Sequence, residues 1–358
     1  MDFEEFRENL MEDLRDQIYQ RTGNDCTVEA TNVAKLQNAG YEGIVIRPEE
    51  SPVGINLDAQ ALYNDYENGK NYEDVLEGAV RMTTEGFAHQ PEFNIDDFSN
   101  YDVMKEKLSM QIVPTERNAE MLEKIPHKEI EDMSVVCRFV VGNDETTGLG
   151  TILVNNDMLQ NFGITEEQLF ADAAKYAPDL RPSEILGMAD VLAQMMGVDV
   201  SELGEQFGLP ENATEAPMYV ASTQDRTNGA GIIAYPGFMD MASEKLGGDF
   251  FLLPSSVHEV ILIPDKGDGN YRDLESMVQE VNSTQVDPKD QLSDHVYHYD
   301  SKDRVFELAE KFEARMAAKE KAAEKGSVLK DLESGKKEIA GEPKVKTPKA
   351  PGKDETSL

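Results

Sequence analysis

The side chains best suited to chemistry stand together in the segment Pro254–Glu259, called the 254–259 loop from here on. It holds two hydroxyls, an imidazole and a carboxylate, from Ser255, Ser256, His258 and Glu259. A serine hydroxyl becomes a nucleophile when an adjacent imidazole acts as its base. These four residues are therefore the predicted catalytic residues of a hydrolase-like enzyme.

The known signatures of such sites are incomplete around the 254–259 loop. The zinc-protease helix needs a second histidine four residues after the first, and Leu262 stands there instead of a partner for His258. The Gly-x-Ser-x-Gly turn of many hydrolases does not surround Ser255 or Ser256. The alternative is structural, with the loop tying two buried strands together through side-chain to backbone hydrogen bonds. Both interpretations stay open.

A second group of ligand-type side chains occurs at His295 and His298, close to Asp294 and Asp300. Two histidines with carboxylates are donors that suit a transition metal. In an extended segment, however, residues three apart point to opposite faces, which works against shared ligation. The sequence therefore predicts no metal site here, and it contains no complete cofactor fingerprint.

Short apolar runs predict the strands that position the 254–259 loop. Phe250–Leu253 and Val260–Ile263 flank it, and their length and bounding Pro and Ser are typical of central, buried strands. Met218–Thr223 and Ile232–Tyr235 are predicted to pair as a hairpin across Asn228-Gly229. Further along the chain we expect a strand pair and a set of helices: Met133–Val141 with Gly150–Val154, and helices over Asp2–Gly23, Asn56–Tyr66, Tyr72–Ala88, Pro182–Met196 and Ser301–Glu324.

These elements predict an α+β fold of mixed, mostly antiparallel strands covered by helices, with a long C-terminal helix. We expect an N-terminal helix–strand–strand–helix module over residues 1–95 and a main α+β domain over 96–325. Residues 326–358 are rich in Lys and Pro and lack aromatic residues, so we expect a disordered tail.

Charge is the strongest compositional feature of the chain, with 34 basic and 70 acidic side chains. Residues 1–310 hold 22 of the basic and 61 of the acidic ones, a net charge of −39. Such a surface repels nucleic-acid phosphate and anionic membranes, and it could occupy a basic groove on a partner. A plain solubility role for the charge is the alternative. Residues 311–358, which include the tail, hold 12 basic and 9 acidic side chains, a net charge of +3, and predict at most weak binding to nucleic acid.

The cellular compartment is predicted from what the chain lacks. No apolar run approaches the roughly 18 residues that span a bilayer, and the acidic start Met1–Glu5 is not followed by the apolar stretch of a secretory signal. Cys26 and Cys137 are far apart in apolar contexts, so we expect reduced, buried thiols in a cytoplasmic protein.

Several short motifs give the chain a family resemblance. They include Leu253-Pro254-Ser255-Ser256-Val257-His258-Glu259, Glu116-Arg117-Asn118-Ala119, Ile125-Pro126-His127 and Leu292-Ser293-Asp294. Over roughly residues 1–320 the chain resembles an uncharacterised family of unknown function from anaerobic gut Gram-positive bacteria, often encoded near mobile-element genes. The resemblance implies a bacterial cytoplasmic protein and carries no assigned activity.

Two functional hypotheses follow from the sequence. The first is a non-catalytic, acidic interaction protein that binds a basic protein. It rests on the net negative charge and on the lack of any complete catalytic or cofactor motif. The second is a hydrolase-like enzyme that uses Ser255 or Ser256 with His258 and Glu259. The second requires an open cleft at the 254–259 loop and a hydroxyl within roughly 3 Å of the imidazole.

Overall fold

A computed structural model of the chain describes residues 1–36, 38–49, 54–88, 98–144, 148–198, 218–267, 270–323 and 325. Helices surround three sheets in which every strand pair is antiparallel, so the predicted α+β class is confirmed. Residues Met1–Leu308 form one compact unit and Ala309–Leu358 a second. The second unit contains the terminal helix over 309–323, and the predicted disordered tail lies outside the described residues.

The N-terminal part of the first unit packs three helices on a three-stranded sheet of order β1-β2-β3. Its elements are α1 (Phe3–Thr22), β1 (Cys26–Lys35), β2 (Asn38–Pro48), β3 (Ile55–Asp58), α2 (Ala59–Glu67) and α3 (Tyr72–Ala88). The Asp2 carboxylate caps α1, and the helix ends at Gly23 in the left-handed region. Apolar residues recur along α1 at three- and four-residue steps, a spacing that predicts one buried helix face. The structure buries them as this spacing requires: Phe6, Leu10, Leu14 and Ile18.

The predicted helix over Asn56–Tyr66 is wrong in its first turn. Ile55–Asp58 forms β3, in which Leu57 pairs with Ile44 of β2. The Asp58 side chain then accepts a hydrogen bond from the Ala61 N–H, so α2 begins one residue after Asp58.

The middle part of the first unit contains a four-stranded sheet. Its strands are β4 (Leu108–Pro114), β5 (His127–Ile130), β6 (Met133–Asp144) and β7 (Gly148–Leu153), and β6 pairs with the other three. Helical segments surround it: α4 (Tyr101–Met104), α5 (Ala119–Leu122), α6 (Asn156–Phe162), α7 (Glu166–Leu180) and the 3-10 turns Lys105–Lys107 and Glu116–Asn118. The predicted pairing of the two strands around residues 133–154 is confirmed.

The last part of the first unit contains a six-stranded sheet of order β13-β12-β10-β11-β9-β8. Its elements are β8 (Ser183–Gly187), α8 (Met188–Met196), β9 (Tyr219–Thr223), α9 (Phe238–Leu246), β10 (Phe250–Leu253), β11 (Val260–Pro264), α10 (Tyr271–Thr284), β12 (Tyr297–Asp300) and β13 (Val305–Leu308). Because β10 and β11 lie in the middle of this sheet, the prediction that the 254–259 loop joins two central strands is confirmed.

Three element predictions in this part are wrong. Ile232–Tyr235 is not a strand: its first three residues belong to a 3-10 helix, Gly229–Ala234, and Tyr235 caps that helix. Both edges of β9 are already occupied, by β8 and β11, so no edge is left for a hairpin partner. The first residues of the predicted helix Pro182–Met196 form β8 and pair with β9. The predicted helix from Ser301 starts only at residue 309, because Arg304 turns the chain with φ 56° and β13 pairs back onto β12.

Buried residues form separate clusters. Those of α1–α3 and the first sheet pack among themselves, whereas the second and third sheets share one core that contains Phe139, Ile232, Phe250 and Tyr297. Leu36, between β1 and β2, packs against a small cluster on the second sheet that includes Val136. A separate N-terminal core is what the predicted module over residues 1–95 requires, and that domain boundary stays a prediction.

The two cysteines are predicted to be unreactive in the folded protein. Both are buried free thiols, and burial raises the pKa of each thiol, so little thiolate is available. We expect neither to react with a thiol reagent at pH 8 within minutes, and both to react fully in guanidinium. A Cys26→Ser variant reports Cys137 alone, and its rapid labelling in the native state would contradict the burial.

Candidate functional site

The 254–259 loop is held to the segment 290–293 by backbone hydrogen bonds. The Val257 N–H donates to the Asp290 carbonyl at 2.8 Å, and the Ser293 N–H donates to the Pro254 carbonyl at 3.0 Å. Ser256 and Gln291 form a β-bridge. The loop is therefore paired through its backbone to this segment. Its position depends on residues some 35 positions further along the chain.

The His258 imidazole is held from both sides. Its Nδ1 accepts a hydrogen bond from the Asn228 backbone N–H at 3.2 Å, so in the neutral ring the proton is on Nε2. Nε2 lies 3.5 Å from Oδ1 of Asp290. About a third of the side chain, 36%, is exposed. The imidazole is thus oriented at the surface by a backbone amide and a carboxylate.

The hydroxyls of the loop do not pair with this imidazole in the way the hydrolase hypothesis describes. Ser256 is buried, and its Oγ accepts a hydrogen bond from the backbone N–H of His258 at 3.0 Å. Ser255 and Glu259 are half-buried. A hydroxyl that the sequence did not identify, Ser222, donates to the His258 carbonyl at 2.6 Å. Serine-to-backbone bonds of this kind are typical of structural loops.

An ion pair between the buried Arg181 and the partly exposed Asp225 supports the turn that presents the Asn228 N–H to His258. The Arg181 guanidinium donates through Nε to Oδ2 of Asp225 at 3.0 Å and through Nη2 to Oγ1 of Thr223 at 3.0 Å, and it also contacts the Thr227 carbonyl. Burial alone would raise the pKa of Asp225, but hydrogen bonds from Arg181 and Thr227 lower it below its usual value. The turn at residues 225–228 is therefore rigidly held.

The segment 290–293 also lines a cleft of about 410 Å³, through Gln291, Leu292 and Ser293. We call it the Asn282 cleft. It is lined by Glu116 and Arg117 after β4, by Asp132 in the turn between β5 and β6, by Asn282 on α10, and by a run of residues before β12 that includes Ser293, Asp294 and His295. Three carboxylates thus face a site whose volume suits a small ligand or a side chain of a partner.

The side-chain amide of Asn282 has hydrogen-bond partners for its nitrogen, but none for its oxygen among the described residues. The side chain is 4% exposed, and its Nδ2 donates to the Ser293 carbonyl at 3.0 Å and to Oδ1 of Asp294 at 2.7 Å. Its buried Oδ1 has no hydrogen-bond partner among the described residues. A buried acceptor without a donor costs about 1–3 kcal/mol, so this atom is an uncompensated polar group behind the wall of the cleft.

Asp132 is held at the cleft by two hydroxyls. Its Oδ2 accepts from Oγ of Ser293 at 2.9 Å, and its Oδ1 accepts from the Tyr297 hydroxyl. Burial, and then the charge of Asp132, raise the pKa of Tyr297, so the phenol stays protonated and keeps donating. Glu131 adopts φ 59° and turns the chain so that Asp132 reaches this position.

The basic groups near the cleft have their own partners. Arg117 donates to the Pro288 carbonyl at 2.6 Å and to Oε1 of Gln291 at 3.4 Å. His295 Nδ1 lies 2.8 Å from Glu275, a hydrogen bond that raises the pKa of His295. His298 lies instead 3.0 Å from Asp265, so the structure does not bring the two histidines to one ligand. Throughout the described residues, no three metal-ligating side chains are grouped for an ion.

Sequence reasoning identified the 254–259 loop but missed its partners and the cleft. Asn228 predicts only a turn, and Asp290 and Ser222 carry no local signal because more than 30 residues separate each from its contact in the loop. Asn282 lies on a helix of its own, 11 residues before Ser293, and has no local signal either. Glu116, Arg117 and Ser293 occurred only in motifs that carried the family resemblance, and Asp294 was considered besides only as a carboxylate near His295 and His298.

Fold and site together define a class of protein: a mixed α+β protein in which one segment, residues 290–293, contacts an oriented surface histidine and lines an acidic cleft. Residues 3–301 match the model of a family of unknown function, DUF5688, and the chain belongs to that family. No curated protein and no solved structure matches the chain. Within the described residues, no helix has the length and apolar character needed to cross a membrane.

Proposed function

We propose that this chain is a non-catalytic binding protein whose partner is a basic protein. It would act in the bacterial cytoplasm, encoded near mobile-element genes as the family resemblance implies. One observation carries the proposal: the Asn282 cleft presents the carboxylates of Glu116, Asp132 and Asp294 on a body with a net charge of −39 over residues 1–310. Complementary charge of this kind favours fast, salt-sensitive association with a cationic surface.

The geometry of the 254–259 loop supports a binding role over a catalytic one. The Ser256 hydroxyl is bonded to backbone, and both nitrogens of the His258 ring face groups other than a hydroxyl. No proton path from a serine to the imidazole is formed by these contacts. The loop instead joins the sheet to the segment that builds one wall of the cleft.

The proposal is tested with paired peptides in which each Lys or Arg is replaced by Gln in the counterpart. We expect the full chain to bind basic peptides, and the Gln counterparts to bind weakly or not at all. Affinity measured by biolayer interferometry should fall steeply between 50 and 300 mM salt, about the range over which exposed charges become screened. A panel in which no basic peptide binds would refute the proposed function.

Matched variants locate the binding surface. Glu116→Gln with Asp294→Asn removes two charges from the cleft while leaving an acceptor for the Asn282 Nδ2. Glu8→Gln with Glu12→Gln removes two exposed charges from α1. We expect the cleft variant to weaken binding about tenfold and the control much less, because two nearby charges contribute about 1.4 kcal/mol in all. Equal losses in both variants would show that the whole acidic surface, not the cleft, does the binding.

A hydrolase centred on the 254–259 loop is the second proposal, favoured by one observation. Asp290 lies 3.5 Å from a His258 ring that is partly exposed, and an oriented, accessible imidazole is a requirement for a general base. A fluorophosphonate probe decides between the two, because it reacts with activated serines. Labelling at Ser255 or Ser256 that disappears in a folded His258→Ala variant would favour the enzyme. The binding proposal expects no labelling.

A further inference from the structure

We propose that the open edge of β1 docks an extended segment of the basic partner, which adds to the three-stranded first sheet as a further strand. The inference rests on the proposed function and adds a contact surface to the Asn282 cleft. It starts from β1 itself, which has 10 residues and, among the described residues, pairs only with β2. The free edge of a strand presents backbone donors and acceptors that another strand can use.

The hydrogen bonds between β1 and β2 determine which groups of β1 point to its free edge. The Glu49 N–H donates to the Asp25 carbonyl at 3.1 Å, so these two residues form a hydrogen-bonded pair just before the register begins at Cys26. Bonded and non-bonded pairs alternate along an antiparallel ladder. The N–H and C=O groups of Cys26, Val28 and Ala30 therefore point away from β2, and no described residue bonds to them.

The middle of this edge is accessible. Cys26 and Val28 are buried in the N-terminal core, and alternation along the strand directs Ala30 to the same face of the sheet. Ala30 is nevertheless exposed, as is its neighbour Glu29. The core therefore stops short of Ala30, and an incoming strand can reach the backbone there.

The edge of β1 differs from most other strand edges of the described residues. β3, β5 and β13 have four residues each. On β8 the Lys245 ammonium bonds to the Ile185 carbonyl, and the 3-10 helix Gly229–Ala234 lies against β4. Short edges, edge lysines and covering elements are the ways in which proteins prevent unwanted strand pairing. β1 is the longest edge strand described and uses none of these devices over residues 26–33, as a docking edge requires.

Charge selects a cationic segment as the occupant of this edge rather than a second copy of the chain. The Glu29 side chain lies in the middle of the edge and is 66% exposed, and its partner Arg47 on β2 is 3.9 Å away. A second copy would bring a net charge of −36 against an equal charge, and such like charges repel. A basic segment is attracted instead, and a Lys or Arg opposite Glu29 forms a favourable cross-strand pair.

The test compares two peptides that have the same sequence and charge. Both alternate Lys and Val, a pattern compatible with an extended chain, and the second carries N-methyl groups on its central residues along both edges. The methyl groups remove the backbone donors that pair with β1 and block its approach. By biolayer interferometry with the full chain, we expect the N-methyl peptide to bind at least about tenfold more weakly, because it loses several backbone hydrogen bonds.

Hydrogen exchange of the ¹⁵N-labelled full chain locates the added strand. The amides of Val28 and Ala30 point to the free edge, whereas those of Glu29 and Thr31 face β2. We expect the Lys/Val peptide to slow exchange at Val28 and Ala30 by at least about tenfold and to change Glu29 and Thr31 much less. This alternation is specific to strand addition, because a peptide held by charge alone would not distinguish the two sets of amides.

A matched pair of variants tests the edge directly. Ala30→Pro removes one outward N–H, a change that edge strands tolerate, whereas Ala30→Thr keeps the N–H in a residue suited to strands. We expect the Pro variant to lose about tenfold in affinity for the Lys/Val peptide and the Thr variant to bind like wild type. Thermal unfolding checks that both are folded. If the Pro variant is not, the N-methyl peptide decides on the wild-type chain.

The outcomes separate this inference from the proposed function. If basic peptides bind but the N-methyl peptide binds equally well, or the amides of Val28 and Ala30 are not protected, strand addition is overturned and the binding function stands. Protection that rises with protein concentration without peptide overturns it in favour of a second copy. Protection already present in the dilute chain overturns it in favour of another part of the same chain. If no basic peptide binds at all, the proposed function itself fails.

Discussion

Replacing Gly231 by alanine is expected to prevent the chain from reaching its native fold. A Cβ at this position would lie 2.1 Å from the Met110 carbonyl oxygen and 2.9 Å from its carbonyl carbon. Met110 belongs to β4 and pairs with Cys137 of β6, in the core that the second and third sheets share. Because backbone in the middle of a sheet cannot move away, we expect a loss of more than about 4 kcal/mol.

The control for this prediction is Gly78→Ala. Gly78 lies in α3, and a Cβ there would meet no atom within 4 Å. Alanine in a helix interior is more favourable than glycine by about 0.8–1 kcal/mol, so this variant should be slightly more stable than wild type. Soluble yield and chemical denaturation measure both changes. A Gly231→Ala protein that unfolds near the wild-type midpoint would show that the 3-10 segment and β4 are not in close contact.

Removing the Arg181 guanidinium should have the second-largest effect. Its side chain is 5% exposed, and Arg181→Met would leave the Asp225 carboxylate and the Thr227 carbonyl without their main donor. Breaking a fully buried pair from one side typically costs about 3–5 kcal/mol, but water can partly solvate the Asp225 carboxylate, whose side chain is 27% exposed. We therefore expect a smaller loss of about 2 kcal/mol by urea denaturation, and we expect the surface variant Arg21→Gln, which loses an exposed pair with Glu77, to lose less than about 1 kcal/mol.

The pH dependence provides an independent check on the Arg181 prediction. The pKa of Asp225 is lowered in the folded state, so the stability it contributes is present above its unfolded pKa of about 3.9 and is lost as the pH falls through the lowered value. The Arg181→Met protein should lack this part of the acid destabilisation. The double variant Arg181→Met, Asp225→Leu should recover part of the lost stability, and failure to do so would argue against an uncompensated charge as the cause.

Local patterns were sufficient for much of the architecture. The three- and four-residue spacing of Phe6, Leu10, Leu14 and Ile18 correctly placed α1 and its buried face. The short apolar runs around the 254–259 loop correctly identified β10 and β11 as central strands. These features are local because burial of a periodic stripe or a short apolar run depends on the residues within the element itself.

The tertiary structure decided what local patterns could not. Ile232 and its neighbours have strand-like composition, yet β9 has no vacant edge for them, and edge occupancy depends on strands distant in sequence. Likewise, the sequence showed His258 beside two serines, but its ring is oriented by Asn228 and Asp290.

The acidic charge and the chemistry-bearing loop are thus determined by the sequence alone. The acidic cleft and its unsatisfied Asn282 oxygen exist only after folding, because whether a polar atom has a partner depends on every segment that packs around it.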